Sequence, residues 1–300
     1  MFDLFRLRLL SELARRSTMT AVASAFHMTS SAVSQQLATL EREAGVPLLE
    51  RVGRGVRFTP EGARLSSQAH DIVALVAAAA DDLRPPDRRG AGTLDVACFS
   101  TYASAHLVPA IARMRRRAPR IEVAVHEVEP VDAIEALRRG SYHVAIAFEY
   151  DLVPRATPAD LQRIALLDEP VHLALPAAWK GTPARRPFDL ARLDASDWIV
   201  GSRQRDDRLM AERACAARDF APRITHTVDD YALLLAMVAA GLGVGLVPGL
   251  ALRARPAGVV IRRPDGRALR RHVHAVVRRG LAASSLVRAL VDELLSARAR

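Results

Sequence analysis

Residues 17–45 read STMTAVASAFHMTSSAVSQQLATLEREAG, and this stretch decides the fold of the N-terminal part. Val22, Ala23 and Phe26 are apolar at helical spacing, and Thr20 is a residue of the kind that caps a helix start. His27-Met28-Thr29 makes a short turn. Ser30 or Ser31 then caps a further helix that runs to about Ala44, where Gly45 ends it. Along that helix Val33, Leu37, Leu40 and Ala44 share one face, and Ser31, Ser34, Gln35, Ala38 and Arg42 share another. The second face is small and polar, with no bulk to obstruct approach. A helix that enters the major groove of DNA needs such a face. Gln35 can bond an adenine edge with both ends of its amide, while serines reach bases or phosphates. Helix, short turn, helix is the geometry that presents it.

On either side the pattern continues. Upstream, Phe5, Leu9, Leu10 and Leu13 form the apolar stripe of another helix. Downstream of Pro47, Val52, Val56 and Phe58 suit a two-stranded wing with glycine at its tip. Arg51, Arg54 and Arg57 would face phosphates or the minor groove. The plainer alternative is a solvated hairpin whose arginines meet only water. Residues 61–83 read as one helix of ~35 Å at 1.5 Å per residue. Leu65, Ile72, Leu75, Val76, Ala79 and Leu83 lie near heptad spacing, and a second copy of the chain would bury them. Packing on its own domain is the alternative. Pro85 and Pro86 stop this helix, and the glycine-containing remainder through residue 91 is a flexible connector.

Residues 92–300 alternate short β-rich runs with helical patterns, as in a parallel α/β sheet. Expected strands cover residues 93–99, 121–125, 144–148, 198–201, 224–227, 244–247, 259–261 and 272–277, with a last helix over 286–298. Ligands of such sheets sit outside the carboxyl ends of strands. Ser100, Thr101, Glu127, Glu129, Phe148, Glu149, Ser202 and Thr227 occupy those ends. Tyr231 to Leu252 carries no charge over 22 residues, long enough to cross a bilayer. Gly241, Gly243, Gly245, Pro248 and Gly249 cut it into a buried helix capped by Asp229, a turn and a buried strand.

The chain has 300 residues, 50% hydrophobic and 25% charged, which excludes a disordered chain and a collagen-like fibre. Cys98 and Cys215 are too few for a disulfide scaffold. The net charge of +10 admits a polyanionic partner. Residues 1–60 hold eight arginines against five acids, a net +3, whereas residues 253–300 hold twelve against three, a net +9. The total therefore cannot locate a nucleic-acid site. No unbroken apolar stretch near the N-terminus suits a secretory signal, so the cytoplasm is expected. His272 and His274 share one strand face, but no acid or cysteine pattern completes a metal site. The Gly241-x-Gly-x-Gly run follows a helix, unlike a dinucleotide fingerprint, and neither a P-loop nor a nucleophile elbow is present. No catalytic residues, metal ligands or cofactor are expected.

Residues 17–41 resemble the winged helix-turn-helix of LysR-type transcriptional regulators. Val22, Ala23, Phe26, Ser34, Leu40 and Glu41 fit that family's pattern, and Arg51 with Thr59-Pro60-Glu61-Gly62 fits its wing. Ser30 and Ser31 stand where Gln and Pro are usual, Leu49 where Phe is usual, and His143 where Asp is common. Val238 through Pro248, and Gly140 closing a helix, match the family's C-terminal region. The resemblance implies an all-α winged helix-turn-helix at 1–60 and a dimerising linker helix with hinge at 61–91. It implies a two-lobed α/β effector domain, like a periplasmic binding protein, at 92–300, with one lobe at 92–163 plus 267–300 and the other at 164–266. The implied dimerisation residues are Leu65, Ile72, Leu75, Val76 and Leu83. Double-stranded promoter or operator DNA would contact Thr29, Ser30, Ser31, Ser34, Gln35, Arg51, Arg54 and Arg57. A small-molecule effector would lie between lobes and touch Ser100, Thr101, Glu127, Phe148, Ser202 and Thr227. Hydroxyls and helix N-termini favour an organic acid, whereas Glu127, Glu129, Glu149 and Asp151 favour a cation or a polyol; the organic acid is the expectation. The assembly would be a homodimer or homotetramer, with no membrane partner. Peroxide-sensing members use a cysteine pair within one lobe, which Cys98 and Cys215 do not match. A two-lobed enzyme or solute-binding protein is the rival from another class, and it would need a catalytic constellation or a signal peptide. A winged-helix repressor of another family would not need the long two-lobed region.

Overall fold

The computed structural model describes every residue except 54, 84–91, 180–185, 203–205, 267 and 297–300. The expected connector at 84–91 lies outside the described residues. The chain forms two compact units, one of Met1–Ala147, Thr157–Ile164 and Ala275–Arg300, the other of Phe148–Ala156 and Ala165–His274.

The first unit opens with three helices. Helix α1 (Leu4–Arg16) starts at Asp3, whose carboxylate accepts from the amides of Phe5 (2.9 Å) and Arg6 (3.2 Å). Helix α2 (Met19–Ala25) is capped by Thr18, not Thr20, and α3 (Ser30–Ala44) by Thr29, not Ser30 or Ser31. A cap needs an extended backbone and a side-chain oxygen that reaches the amide three residues on. Thr18 and Thr29 meet both conditions, accepting from Ala21 at 3.2 Å and Ala32 at 3.1 Å. Gly45 ends α3 in the left-handed conformation, φ 71°. Leu7, Leu9, Leu10, Leu13, Val22, Val33, Leu37 and Leu40 are almost wholly buried together.

Strands β1 (Leu49–Val52) and β2 (Gly55–Phe58) pair antiparallel, with Leu49 opposite Phe58. Thr59 then starts α4 (Pro60–Asp82). Its hydroxyl donates to the Pro47 carbonyl (2.8 Å) and accepts from the Gly62 amide (3.0 Å). A Cβ on Gly62 would fall 1.9 Å from the Leu48 carbonyl oxygen. The Thr-Pro-x-Gly run is therefore a close helix start against the wing.

The α/β part of this unit is built on β3 (Gly92–Cys98), flanked in parallel by β4 (Ile121–Glu127) and β5 (Val144–Tyr150). The expected helix after Ser100 consists of α5 (Ser100–Tyr102), a π-helical segment over Ala103–Leu107 and α6 (Val108–Arg117). Helix α7 (Pro130–Arg138) connects β4 to β5. Helix α10 (Ser285–Ser296), numbered in chain order, closes the described chain.

In the second unit, β6 (Leu161–Pro176) pairs antiparallel with β9 (Gly245–Pro248) and β10 (Val259–Arg262). Strands β7 (Asp197–Val200) and β8 (Arg223–Thr227) form a parallel pair. Helix α8 (Asp206–Ala216) follows β7, and α9 (Tyr231–Ala239) precedes β9. Strands β5, β6 and β11 (Arg270–Arg278) each begin in one unit and end in the other. Sequence reading missed β6. Asp168, Glu169 and Pro170 interrupt its apolar pattern and look like a break. In the fold, the Glu169 carboxylate is buried and accepts from the guanidinium of Arg271 (2.7 Å) and the amide of Leu250 (2.6 Å). The cap of α9 is Asp230 rather than Asp229, whose carboxylate accepts from the Ser202 amide at 2.8 Å instead. The uncharged run is thus a short helix buried on one face, through Leu234, Leu235 and Val238, with Leu233 exposed on the other, then a turn and a buried strand. Among the described residues no helix is long and apolar enough to cross a membrane.

Candidate nucleic-acid interface

Helix α3 divides cleanly into two faces. Val33, Leu37 and Leu40 are at most 1% exposed. Ser31, Ser34, Gln35, Ala38 and Arg42 are exposed. The hydroxyls of Thr29 and Ser31 lie 2.9 Å apart, and Ser30 reaches Thr20 at 3.5 Å, so α2 and α3 share a rim of hydroxyls. Arg6 of α1 donates to Gln36 at 3.1 Å and pairs with Glu43, leaving Gln35 turned outward. One residue that sequence reading treated only as a match has a clear role. The Glu41 carboxylate accepts from the amides of Leu48 (2.8 Å) and Leu49 (3.0 Å), tying the wing to the end of α3. Its signal was only the spacing of an acid before the Gly45–Pro47 turn.

On the wing Arg51 is exposed, and Arg57 forms an ion pair with Glu50 across the hairpin at 2.8 Å. Exposed pairs of this kind are weak and open readily to a competing anion. Arg54 lies outside the described residues.

Helix α4 has three kinds of neighbour. Leu65 and Val73 pack with Ala69 on the core of α1–α3, so Leu65 is drawn out of the expected dimer stripe. Ile72, Leu75, Val76 and Leu83 are exposed, at 39%, 47%, 45% and 89%. A third side is polar. The Ser67 hydroxyl donates to the Arg138 carbonyl at 2.6 Å, and Asp71 accepts from Arg278 at 2.5 Å. Arg278 also donates to the carbonyls of Leu137 and Tyr142. His70 shares a hydrogen bond with Ser11 of α1 (3.1 Å) and its ring lies 5.5 Å from that of His143. His143 in turn accepts from the Asp95 amide at 2.9 Å. Burial, then the positive charge of Arg278, pushes the His70 imidazole down to about 3. His143 is lowered too, chiefly by burial.

The six expected effector contacts divide between the units. In the first, Ser100 and Thr101 follow the end of β3, and Glu127 is exposed at the end of β4, opposite Cys98. In the second, Thr227 is exposed where β8 ends beside Val200, and Ser202 follows β7. Phe148 is half-buried beneath the Arg271 guanidinium, 4.9 Å from its ring centre. Two of the acids that favoured a cation or polyol are engaged internally. Glu149 accepts from the Arg155 amide (2.8 Å), and Asp151 accepts from the Arg270 amide (3.1 Å) and contacts His272 (2.7 Å). Cys98 and Cys215 are buried, in different units. Among the described residues no cluster of three or more His, Cys, Asp or Glu could hold a metal ion.

Comparison with known proteins agrees with this layout. Residues 4–63 match the family described as bacterial regulatory helix-turn-helix protein, lysR family, and residues 87–299 match the LysR substrate binding domain. The transcriptional activator IlvY of Salmonella typhimurium is 28% identical over 263 residues, covering 85% of each chain. The probable regulator LrrA of Synechococcus elongatus is 27% identical, covering 83% of this chain and 82% of its own. A full-length OxyR variant from Pseudomonas aeruginosa has the same fold with a TM-score of 0.79 at 22% identity, covering 98% of both chains. Full-length CbnR, solved with its target DNA, scores 0.54 at 22% identity and 98% coverage of both. With both family matches in chain order and the second spanning most of its length, this chain belongs to the LysR family of DNA-binding transcriptional regulators.

Proposed function

We propose that α3 reads operator DNA in the major groove through Ser31, Ser34 and Gln35, with Thr29 and Ser30 holding phosphate at its start. Arg51, Arg54 and Arg57 bind backbone phosphates from the wing. The observation that carries this reading is the division of α3, with Val33, Leu37 and Leu40 buried and Ser31, Ser34 and Gln35 exposed. Ile72, Leu75, Val76 and Leu83 pair α4 with a second copy, giving a dimer or a dimer of dimers. Two tethered readers convert weak half-site contacts into usable affinity. A small organic acid is the effector, contacting Ser100, Thr101, Glu127, Phe148, Ser202 and Thr227. The protein acts in the cytoplasm and has no catalytic role.

Binding to the chain's own promoter region at several salt concentrations tests the DNA reading. Arg51→Ala weakens all sequences alike and reduces the salt slope by about 1, whereas Gln35→Ala changes base preference by about 1–3 kcal/mol at one position. A flat salt dependence, or two variants indistinguishable from wild type, refutes it. Ile72→Glu with Val76→Glu yields monomers in sedimentation if α4 pairs as proposed. A small acid at 100 times its Kd adds about 2.7 kcal/mol of stability, an effect that Ser202→Ala or Thr101→Ala reduces.

A further inference from the structure

The first unit contains a cavity of about 400 Å³ away from all the residues assigned above to DNA or effector. That volume lies within the range of small-molecule sites, about 300–1,000 Å³. Three parts of the chain wall it: α1, α4 and the α/β part through β3 and α10. Its lining is mostly apolar, with Val73 and Ala77 from α4, Leu94 from β3 and Leu286 from α10.

The charges on its wall do not cancel. Glu12 is already engaged by Arg15 (2.9 Å) and Arg16 (2.6 Å). His70 and His143 are kept uncharged near neutral pH, mainly by burial. Arg8 also lines the cavity; it lies 5.4 Å from the Phe26 ring centre and has no carboxylate partner among the described residues. The first turn of α10 also lines the cavity, at the end of the helix where amide hydrogens point away from its body. An arginine without a carboxylate partner among the described residues, beside an apolar lining, matches one ligand chemistry.

We propose that this cavity binds a small organic anion, its carboxylate on Arg8 and its short apolar body against Val73, Ala77, Leu94 and Leu286. Such a ligand touches the helix-turn-helix core, the linker helix and the α/β part at once, and it is separate from the effector contacts proposed above. Fluorine NMR of the full chain with 3,3,3-trifluoropropionate, and with the uncharged 3,3,3-trifluoropropanol, tests the assignment. Saturable binding of the acid is expected, about tenfold tighter than the alcohol, because only the acid makes a charge-assisted hydrogen bond. Arg8→Gln removes that tenfold advantage and leaves alcohol binding unchanged. Ala77→Phe fills the cavity and abolishes both. In a chain that carries Thr101→Ala and Ser202→Ala, which removes binding at the effector contacts, the same preference for the acid and the same loss with Arg8→Gln are expected, which separates this site from the effector reading. Absence of saturable binding, equal affinity for acid and alcohol, or insensitivity to Arg8→Gln overturns the proposal. Arg8 is exposed, so its replacement remains informative if Ala77→Phe does not fold.

Discussion

Helix α4 is held on two sides by different physics. Toward α1–α3 its contacts are Leu65, Ala69 and Val73, set among leucines that are almost wholly buried. Toward the α/β part they are Ser67 and Asp71, facing the Arg138 carbonyl and the guanidinium of Arg278, which is 1% exposed. Apolar burial stabilises by area, about 25 cal/mol per Å², and tolerates small rotations. A buried ion pair gains its attraction only at one geometry, after desolvating both partners. Moreover, His70 Nε2 and Arg278 Nη2 are buried without a hydrogen-bond partner among the described residues. The first contact makes α4 part of the DNA-binding core. The second fixes an orientation at little net gain.

The largest effect expected at the polar joint follows from Asp71→Leu, which strands a buried guanidinium and costs about 3–5 kcal/mol in chemical denaturation. Adding Arg278→Met restores most of that loss. A single substitution costing under about 1 kcal/mol shows that water already reaches Arg278, and the contrast between the joints fails. In the apolar core that α4 joins, Leu37→Ala removes a side chain 1% exposed and costs about 2–5 kcal/mol with no rescuing second substitution.

Titration sharpens the same comparison. Folded His70 protonates only near pH 3, whereas an unfolded histidine protonates near 6.5. Between those values the unfolded chain binds the extra proton, so this group's contribution to stability falls as pH drops, by up to about 1.4 kcal/mol per pH unit. Stability measured across that window should lose part of its slope in His70→Gln. His272, in the second unit, has the opposite sign. Burial disfavours its charge, but the carboxylates of Asp151 (2.7 Å) and Asp168 (2.8 Å) outweigh burial and raise its pKa. Its contribution is present below about pH 6.5 and is lost as pH rises through the raised folded value. His272→Gln therefore destabilises more at pH 5 than at pH 8, and an equal loss at both removes the protonated bridge from consideration. The smallest effect is Thr29→Ala, a lost helix cap worth about 1 kcal/mol.

Much of the N-terminal part was legible because its information is local. The α3 faces follow from a 3.6-residue period, Gly45 marks the end of a helix and Thr59-Pro60-Glu61-Gly62 the start of one. The helix caps were misplaced by one or two residues because neighbouring hydroxyls are chemically alike and only backbone conformation chooses among them. The C-terminal arginine excess was less legible. The count of arginines says nothing of where each one sits, and Arg262, Arg271 and Arg278 are buried, at 9%, 0% and 1% exposure. Likewise His272 showed no acid nearby in sequence, and the fold brings it two.

By itself the sequence determined the order of parts, a helix-turn-helix, a wing, a long striped helix and an alternating α/β region, along with the polar face of α3. Periodicity, caps and turn residues act over a few positions and can be read there. Only the tertiary structure decided that β6 tolerates an internal glutamate, that Leu65 belongs to the DNA-binding core, and that α4 is clamped by Asp71 and Arg278. Those pairings join residues 102 and 207 positions apart, Glu169 with Arg271 and Asp71 with Arg278. A charge becomes a core residue only when folding supplies its counter-charge, and no local pattern announces which distant residue that will be.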